Sequence, residues 1–416
     1  MSAPVQIRHL VAGDWHSGRG DSLLSLNPAH PGIVVAEGRG TDASVVDAAI
    51  AAATAALTAW AGTPIHERGA VLLAAAEVVN RNAESWGLEL AAEEGKTKAE
   101  GIGEVRRAAQ ILRYFGNEGD RQAGEIYASP RAGEQILITR KPLGVVGVIT
   151  PFNFPIAIPA WKIAPALVYG NTVVWKPAST VPLLAIRLAE ALTGAGLPTG
   201  VLSLLIGDAD VGDAIVSHAG VDAITFTGST GVGRRIAAAG AARGVPVQAE
   251  MGGKNAAVVL DDADVTLAVE QVMLGAFRST GQKCTATSRL IVTTGIAEQF
   301  LGELLDRVAA LRVGDPTDDT TQMGPVISDS ARTSITSGIN TATRQGATVL
   351  AGGVPYPDGP LADGYFVAPT VVDVGSAPVE LWTDELFGPV LAVRRADTAD
   401  EAFALGGTTP AETYLD

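Results

Sequence analysis

Cysteine is nearly absent. Cys284 is the single one in 416 residues. This excludes an internal disulfide and any zinc or iron–sulfur site built from several thiolates. Histidine is scarce too: His9, His16, His30, His66 and His218 are the whole set, and no two have the spacing of a zinc-protease helix. Metal catalysis and a histidine-dependent triad are therefore poor starting points. Positive charge is in deficit, with 30 basic residues against 45 acidic ones and a formal charge of −15. A general nucleic-acid role needs a basic surface and does not fit, although a local basic pocket does.

The N-terminus, Met1-Ser-Ala-Pro-Val-Gln-Ile-Arg8, lacks the apolar stretch of a signal peptide, so a cytoplasmic setting is expected. Residues 142–161 carry no charge but contain Pro151, Pro155, Pro159 and Asn153. A lipid-exposed helix with those interruptions would leave backbone groups unsatisfied. A buried strand, a turn and a helix fit better, and no membrane partner is expected.

What is present is an apolar chain, 47% hydrophobic and 18% charged, long enough for two to three domains at about 150 residues each. Residues 41–60 read as a helix with Thr41 or Asp42 as N-cap. Further helical patterns begin at Pro64 and cover 83–94 and 98–115. Residues 134–142 alternate as a strand, but Ile136 and Ile138 oppose Leu137, so its buried face is undefined.

From residue 144 strands and helices alternate. Strands are expected at 144–150, 171–175, 201–206, 221–226 and 245–249, with helices at 158–168, 182–193, 210–218 and 231–242. This spacing implies right-handed crossovers, a parallel sheet and a nucleotide beyond the strands' carboxyl ends. A second α/β series starts near 251, with strands at 256–260, 289–294, 366–372 and 390–394. Its helices are expected at 265–279, 297–311 and 328–345.

Five motifs carry chemistry, each beside an ordinary alternative. Cys284 lies in Ser279-Thr-Gly-Gln-Lys-Cys-Thr-Ala-Thr-Ser-Arg289. A lone intracellular cysteine is usually inert and buried. Yet Gly281 permits close approach of a substrate, and the polar neighbours Gln282, Lys283 and Thr285 are odd company for a core thiol. A nearby ammonium favours the thiolate that attacks carbonyls. Glu250 lies in Gln248-Ala-Glu-Met-Gly-Gly-Lys-Asn255. It is either a solvated surface carboxylate or a general base raised toward neutrality in an apolar niche of Ala249, Met251 and two glycines.

Asn153, in Thr150-Pro-Phe-Asn-Phe-Pro155, is either a turn former or a rigid amide donor to an oxyanion, worth roughly 10²–10³ in rate. Gly228-Ser-Thr-Gly-Val-Gly233 opens a helix after a strand. A tight turn explains it, and so does a pyrophosphate held at the helix N-terminus with Ser229. Lys176 ends a strand before Pro177-Ala-Ser179. At the place where an acidic residue often binds a ribose 2′-hydroxyl, a cation suits a 2′-phosphate.

In combination and order, residues 150–155, 175–179, 226–233, 250–255 and 281–284, with Glu385-Leu-Phe-Gly-Pro389, resemble the aldehyde dehydrogenases. The resemblance runs over residues 9–405. It implies an α/β fold with a Rossmann-type cofactor domain (1–117 and 142–250), a small β oligomerisation element (118–141) and a second α/β catalytic domain (251–405).

It also implies NAD(P)-dependent oxidation of an aldehyde to a carboxylate through a thiohemiacetal and a thioester on Cys284. Asn153 and the Cys284 N–H would hold the oxyanion, Glu250 would activate water, and Lys162 would support the site from the following helix. Cofactor contacts are implied for Thr150, Pro151, Phe152, Lys176, Ser179, Gly228, Ser229, Met251, Gly252, Glu385 and Phe387. Of these, Lys176 would meet the adenosine ribose, Ser229 the pyrophosphate, Glu385 the nicotinamide ribose, and Phe387 would lie beside the ring. Phe154, Trp161, Arg278 and Lys283 would line the substrate region.

The motifs around Glu250 and Cys284 are similar to those of 2-oxoglutarate semialdehyde dehydrogenases. Arg278 and Lys283 stand where apolar or small residues are common. They would bind a substrate carboxylate, the alternative being that they are solvated or internally paired. Ser179 stands where NAD-preferring members often carry glutamate, so NADP is expected to serve at least as well as NAD. Homo-oligomers are the family habit. A CoA-acylating member is disfavoured by Glu250, and a cysteine hydrolase by the absence of a suitable histidine.

The chain departs from the family after Leu405. It reads Gly406-Gly-Thr-Thr-Pro-Ala-Glu-Thr-Tyr-Leu-Asp416, where the family continues for several tens of residues that complete the catalytic domain and add a strand to the oligomerisation sheet. A truncated or frame-shifted reading frame with an atypical tail (406–416) is the expectation. A catalytically silent chain that still binds nucleotide or partner chains is the alternative function.

Overall fold

The computed structural model describes residues 3–121 and 124–407. They form two compact units. The first comprises the chain up to Ser25 with Val34–Glu89 and Gly101–Glu250; the second comprises Leu26–Ile33, Leu90–Glu100 and the described residues from Met251 onward. Residues 408–416 of the expected tail lie outside the described residues, and 406–407 close the helix Ala399–Gly407.

The first unit is built on a seven-stranded sheet. Its order is Val247–Glu250, Ala223–Thr227, Val145–Ile149, Thr172–Lys176, Leu202–Leu204, His9–Val11, Asp14–His16. The first five are parallel and the last two are added antiparallel. Consecutive residues of the central strands are buried, and Val148, Val173, Val174 and Trp175 are fully so. Apolar runs without alternation are what a sheet covered on both faces requires.

Between the strands lie the helices Ala157–Val168, Pro182–Gly194, Ala209–Ser217 and Thr230–Arg243. Pro182 stands in the first turn of its helix, where a missing N–H costs nothing. Gly244, at φ +68°, ends Thr230–Arg243 in the left-handed conformation. Strand order builds outward from Val145–Ile149 in one direction and then restarts beside it with Ala223–Thr227. The crossovers therefore reverse between these two strands, and a crevice opens beyond their carboxyl ends.

The second unit carries a five-stranded sheet in the order Asn255–Val259, Thr287–Thr293, Val390–Ala396, Thr370–Asp373, Thr348–Ala351, with only the last strand antiparallel. One core joins Val269, Val272 and Phe277 to Leu290, Phe300 and Leu304. Another joins Ile291, Ile335, Ile339, Val372, Trp382 and Ala402. The fold class expected from the sequence is thus observed.

Some elements differ from expectation. The first helix is Ser44–Gly62 and its N-cap is Ala43, not Thr41 or Asp42. The Asp42 carboxylate instead accepts from Ser44 N at 2.9 Å, an Asx turn just outside the helix. This helix is long and apolar enough to cross a membrane by length and composition. It buries Val46, Ala49, Ile50, Ala53 and Trp60 and packs against the strands Val145–Ile149 and Thr172–Lys176. The strand at 134–142 is Gln135–Thr139, paired antiparallel with the unanticipated Gly124–Ala128. Its ambiguous face has a physical reason: all five residues are exposed, Leu137 at 63% and Ile138 at 53%. The short strands between Val5 and Arg39, the strand Thr348–Ala351 and the helix Ala399–Gly407 were also not apparent in the sequence.

Candidate active site

The motif 150–155 leaves the strand Val145–Ile149 at the crossover reversal. Thr150 is buried, and its Oγ1 accepts from Trp175 Nε1 at 2.9 Å. Asn153 is also buried. The helix Ala157–Val168 follows, and a carboxylate caps it: Glu104 Oε1 accepts from Ile156 N at 3.1 Å and Ala157 N at 3.2 Å. A buried negative charge at a helix N-terminus is favourable and fixes where that helix points. Glu104 was missed in the sequence, since it lies in a different helix more than fifty residues earlier.

That helix carries Lys162. Its buried Nζ donates to Thr225 Oγ1 at 2.9 Å, Phe226 O at 3.0 Å and Gln248 Oε1 at 2.9 Å. Burial pushes this ammonium down to about 8, opposed by the charge of Glu250. Glu250 ends the edge strand Val247–Glu250, where Gln248 Nε2 donates to its Oε1 at 2.7 Å. Glu250 is exposed, so the desolvated apolar niche expected around it is not formed. Ala249 shares its edge strand and Met251, Gly252 and Gly253 only follow it along the chain, and the carboxylate stays exposed.

Across the crevice, Gly228 follows the strand Ala223–Thr227. A Cβ there would lie 2.5 Å from the Phe226 ring, so a side chain would displace that ring. Ser229 is the N-cap of Thr230–Arg243 and its side chain makes no capping bond. Lys176 Nζ makes one long hydrogen bond, to Pro177 O at 3.3 Å. Burial lowers its pKa, with Asp208 acting the other way. Ser179 is half-buried nearby in sequence. A helix N-terminus and a weakly satisfied cation at a crossover reversal fit the pyrophosphate and ribose of a dinucleotide. Pro151, Phe152 and Phe154 are half-buried in the 150–155 turn, whereas Trp161 is 47% exposed with the Arg107 guanidinium 5.2 Å from its ring.

The second unit holds the other motif residues. Cys284 is exposed. The helix expected to reach Ser279 ends at Phe277, because Ser279, Thr280 and Gly281 are all left-handed, at φ 51°, 53° and 68°. Non-glycine residues in this region cost of order 1 kcal/mol or more each and persist only where the surroundings hold them. Three contacts do so. Ser279 N donates to Glu100 Oε1 at 2.7 Å, Thr280 Oγ1 to Gly324 O at 3.1 Å, and Ile327 N to Gln282 Oε1 at 3.0 Å. Gly281 packs so tightly that a Cβ would sit 2.2 Å from Gly388 O.

The neighbouring loop is strained too, with Phe387 at φ 53°. Gly253, Lys254, Gly281, Lys283, Glu385 and Phe387 therefore line one small cavity. Glu385 Oε1 accepts a long bond from Gly253 N at 3.4 Å. The surrounding protein raises its carboxyl, against the pull of Lys254. A Cβ on Gly252 would collide with Glu385 Oε2 at 1.9 Å. Met251 is half-buried beside it. Lys254, which the sequence reading passed over, is buried and lowered to about 8 by desolvation.

Arg278 and Lys283 border the same turn. Arg278 Nε lies 3.4 Å from Glu100 Oε1, its side chain is 58% exposed, and no protein acceptor meets its terminal nitrogens among the described residues. It opens onto a cavity of about 580 Å³ with Glu100, Leu274, Phe277, Arg307 and Arg312. Lys283 Nζ donates to Leu274 O at 3.4 Å and is lowered by burial. Both are thus partly paired internally, Lys283 through a carbonyl and Arg278 through one nitrogen only.

A family model described as "Aldehyde dehydrogenase family" matches residues 15–410. The chain is 42% identical to the alpha-ketoglutaric semialdehyde dehydrogenase of Bacillus subtilis, over 95% of this chain and 81% of that protein. It is 41% identical to the 2,5-dioxopentanoate dehydrogenase of Saccharolobus solfataricus, over 95% and 82%. Among solved structures, a betaine aldehyde dehydrogenase from Staphylococcus aureus in complex with NAD+ superposes with a TM-score of 0.94 at 33% identity, over 97% of this chain and 81% of that one. This chain belongs to the aldehyde dehydrogenase family and is an NAD(P)-dependent aldehyde-oxidising enzyme.

Proposed function

We propose that the enzyme oxidises a carboxylated semialdehyde of the 2-oxoglutarate semialdehyde type, with Cys284 as the nucleophile. The observation that carries the substrate class is Arg278, whose terminal nitrogens have no protein acceptor among the described residues. A bidentate guanidinium matches a substrate carboxylate. The two semialdehyde-type relatives at 41–42% identity support the same class.

In this reading the Cys284 thiolate attacks the aldehyde carbon and forms a C–S bond, and Asn153 and the Cys284 N–H hold the oxygen as it becomes anionic. NAD(P)+ supplies the hydride acceptor when bound, which leaves a thioester on Cys284. Glu250 takes a proton from the water that attacks the thioester, and the thiolate leaves as the carboxylate product forms. Lys176 and Ser229 would hold the cofactor's adenosine ribose and pyrophosphate; Glu385 and Phe387 would hold its nicotinamide end. Thr150, Pro151, Phe152, Ser179, Gly228, Met251 and Gly252 would complete that surface. Phe154, Trp161 and Lys283 would flank the substrate.

Lys176 with Ser179, and no carboxylate between them in sequence, favours acceptance of NADP at least as readily as NAD. The exposed hairpin Gly124–Ala128 with Gln135–Thr139 is proposed as the element through which copies of the chain associate, since Ile126, Leu137 and Ile138 would otherwise stay in water. A cysteine that must stay reduced suits a cytoplasmic setting.

Reduction of NAD and NADP by the purified enzyme, with a carboxylated semialdehyde and a neutral aldehyde of equal length, tests the proposal. Turnover with the carboxylated substrate that disappears in Cys284→Ala supports it. Equal kcat/KM for both aldehydes would remove the substrate assignment, and a strong preference for NAD would remove the cofactor assignment.

A further inference from the structure

We infer that Gln248 is a positioning residue that holds the Glu250 carboxylate in one orientation with one oxygen free for water. The inference rests on the proposed role of Glu250 as base and adds how that base is set. Gln248 and Glu250 are two apart on the edge strand Val247–Glu250, so their side chains share a face. Both ends of the Gln248 amide are engaged. Its oxygen accepts from Lys162 Nζ at 2.9 Å and also from Thr225 Oγ1, its direct neighbour on the next strand. Its nitrogen donates to Glu250 Oε1 at 2.7 Å.

The amide cannot reverse. A flip would set its NH₂ against an ammonium that has only donors. The three protons of Lys162 are all taken, by Thr225 Oγ1, Phe226 O and Gln248 Oε1, so its hydrogen bonds connect to Glu250 through Gln248. Glu250 Oε2 has no protein partner among the described residues. One oxygen is thus anchored while the other stays open.

The test uses Gln248→Leu, which removes all three bonds, and Gln248→Glu, which keeps an acceptor for Lys162 but sets a like charge beside Glu250. Expected are a first turnover of cofactor reduction at the wild-type rate and a steady-state kcat about tenfold lower at pH 7. KM for the aldehyde stays within about twofold. Thermal unfolding identifies a misfolded variant, and the other variant then decides. An unchanged steady-state kcat in folded variants overturns the inference, as does equal loss of the first turnover, which marks a merely structural role. Glu250→Gln is the control. If it retains steady-state turnover, the base assignment itself falls, which is a different result from Glu250→Gln losing turnover while Gln248→Leu keeps it.

Discussion

Glu100 Oε1 accepts the backbone N–H of Ser279 at 2.7 Å, and its Oε2 accepts Thr97 N at 3.1 Å and Thr97 Oγ1 at 3.0 Å. Thr97 Oγ1 in turn accepts Glu100 N at 3.4 Å. Thr97-Lys-Ala-Glu100 is thus a capping box at the start of the helix Lys98–Gly116, and the same carboxylate holds the left-handed turn that precedes Cys284. One side chain serves a helix end and the loop of the proposed nucleophile together.

Removing that carboxylate should therefore act on both. Glu100→Ala is expected to lower the unfolding free energy by about 2–3 kcal/mol, the sum of a lost cap and an unsatisfied N–H. It should also lower kcat by more than tenfold as the Ser279–Gly281 turn relaxes. Denaturant unfolding and steady-state kinetics measure the two effects. A stability loss with kcat intact would show that the turn does not need its anchor.

Arg278→Leu should raise KM for a carboxylated aldehyde by roughly 10- to 100-fold, the worth of one charge-assisted hydrogen-bond pair. A neutral aldehyde of the same length should change by less than about twofold. Equal effects on both substrates would mean that Arg278 shapes the cavity and does not read the carboxylate.

Lys162 ties stability to pH. Burial lowers its pKa from 10.5 to about 8. Between these values the unfolded chain still binds the proton that the folded chain has released, so stability rises with pH across that window. Lys162→Met lacks this contribution. The stability of the wild type relative to the variant should accordingly grow by about 3 kcal/mol between roughly pH 8 and pH 10.5. Denaturant midpoints of both proteins at four or five pH values would reveal it, and a flat difference would place Lys162 in a wetter setting than its three acceptors suggest.

Much of the fold was legible because its strands are short apolar runs. Val145–Ile149 and Thr172–Lys176 announce a doubly covered sheet by composition alone, and the helices between them are bounded by proline and glycine. The hairpin at 124–139 was not legible on either face, since none of the described residues covers it. The capping box at Thr97 was a local signal available in the sequence and overlooked. Glu104 and Gln248 carried no such signal.

Sequence alone determined the order of the elements, the family motifs and the residue types proposed for the chemistry, because these depend on near neighbours along the chain. Tertiary structure alone decided that Glu250 stands exposed beside Gln248, that Ser279 and Thr280 turn left-handed, that Glu104 caps a helix fifty residues on, and that Lys162 loses most of its water. Each of these follows from burial and hydrogen bonds between groups brought together by packing. Their energies depend on separation in space, which no local pattern of residues encodes.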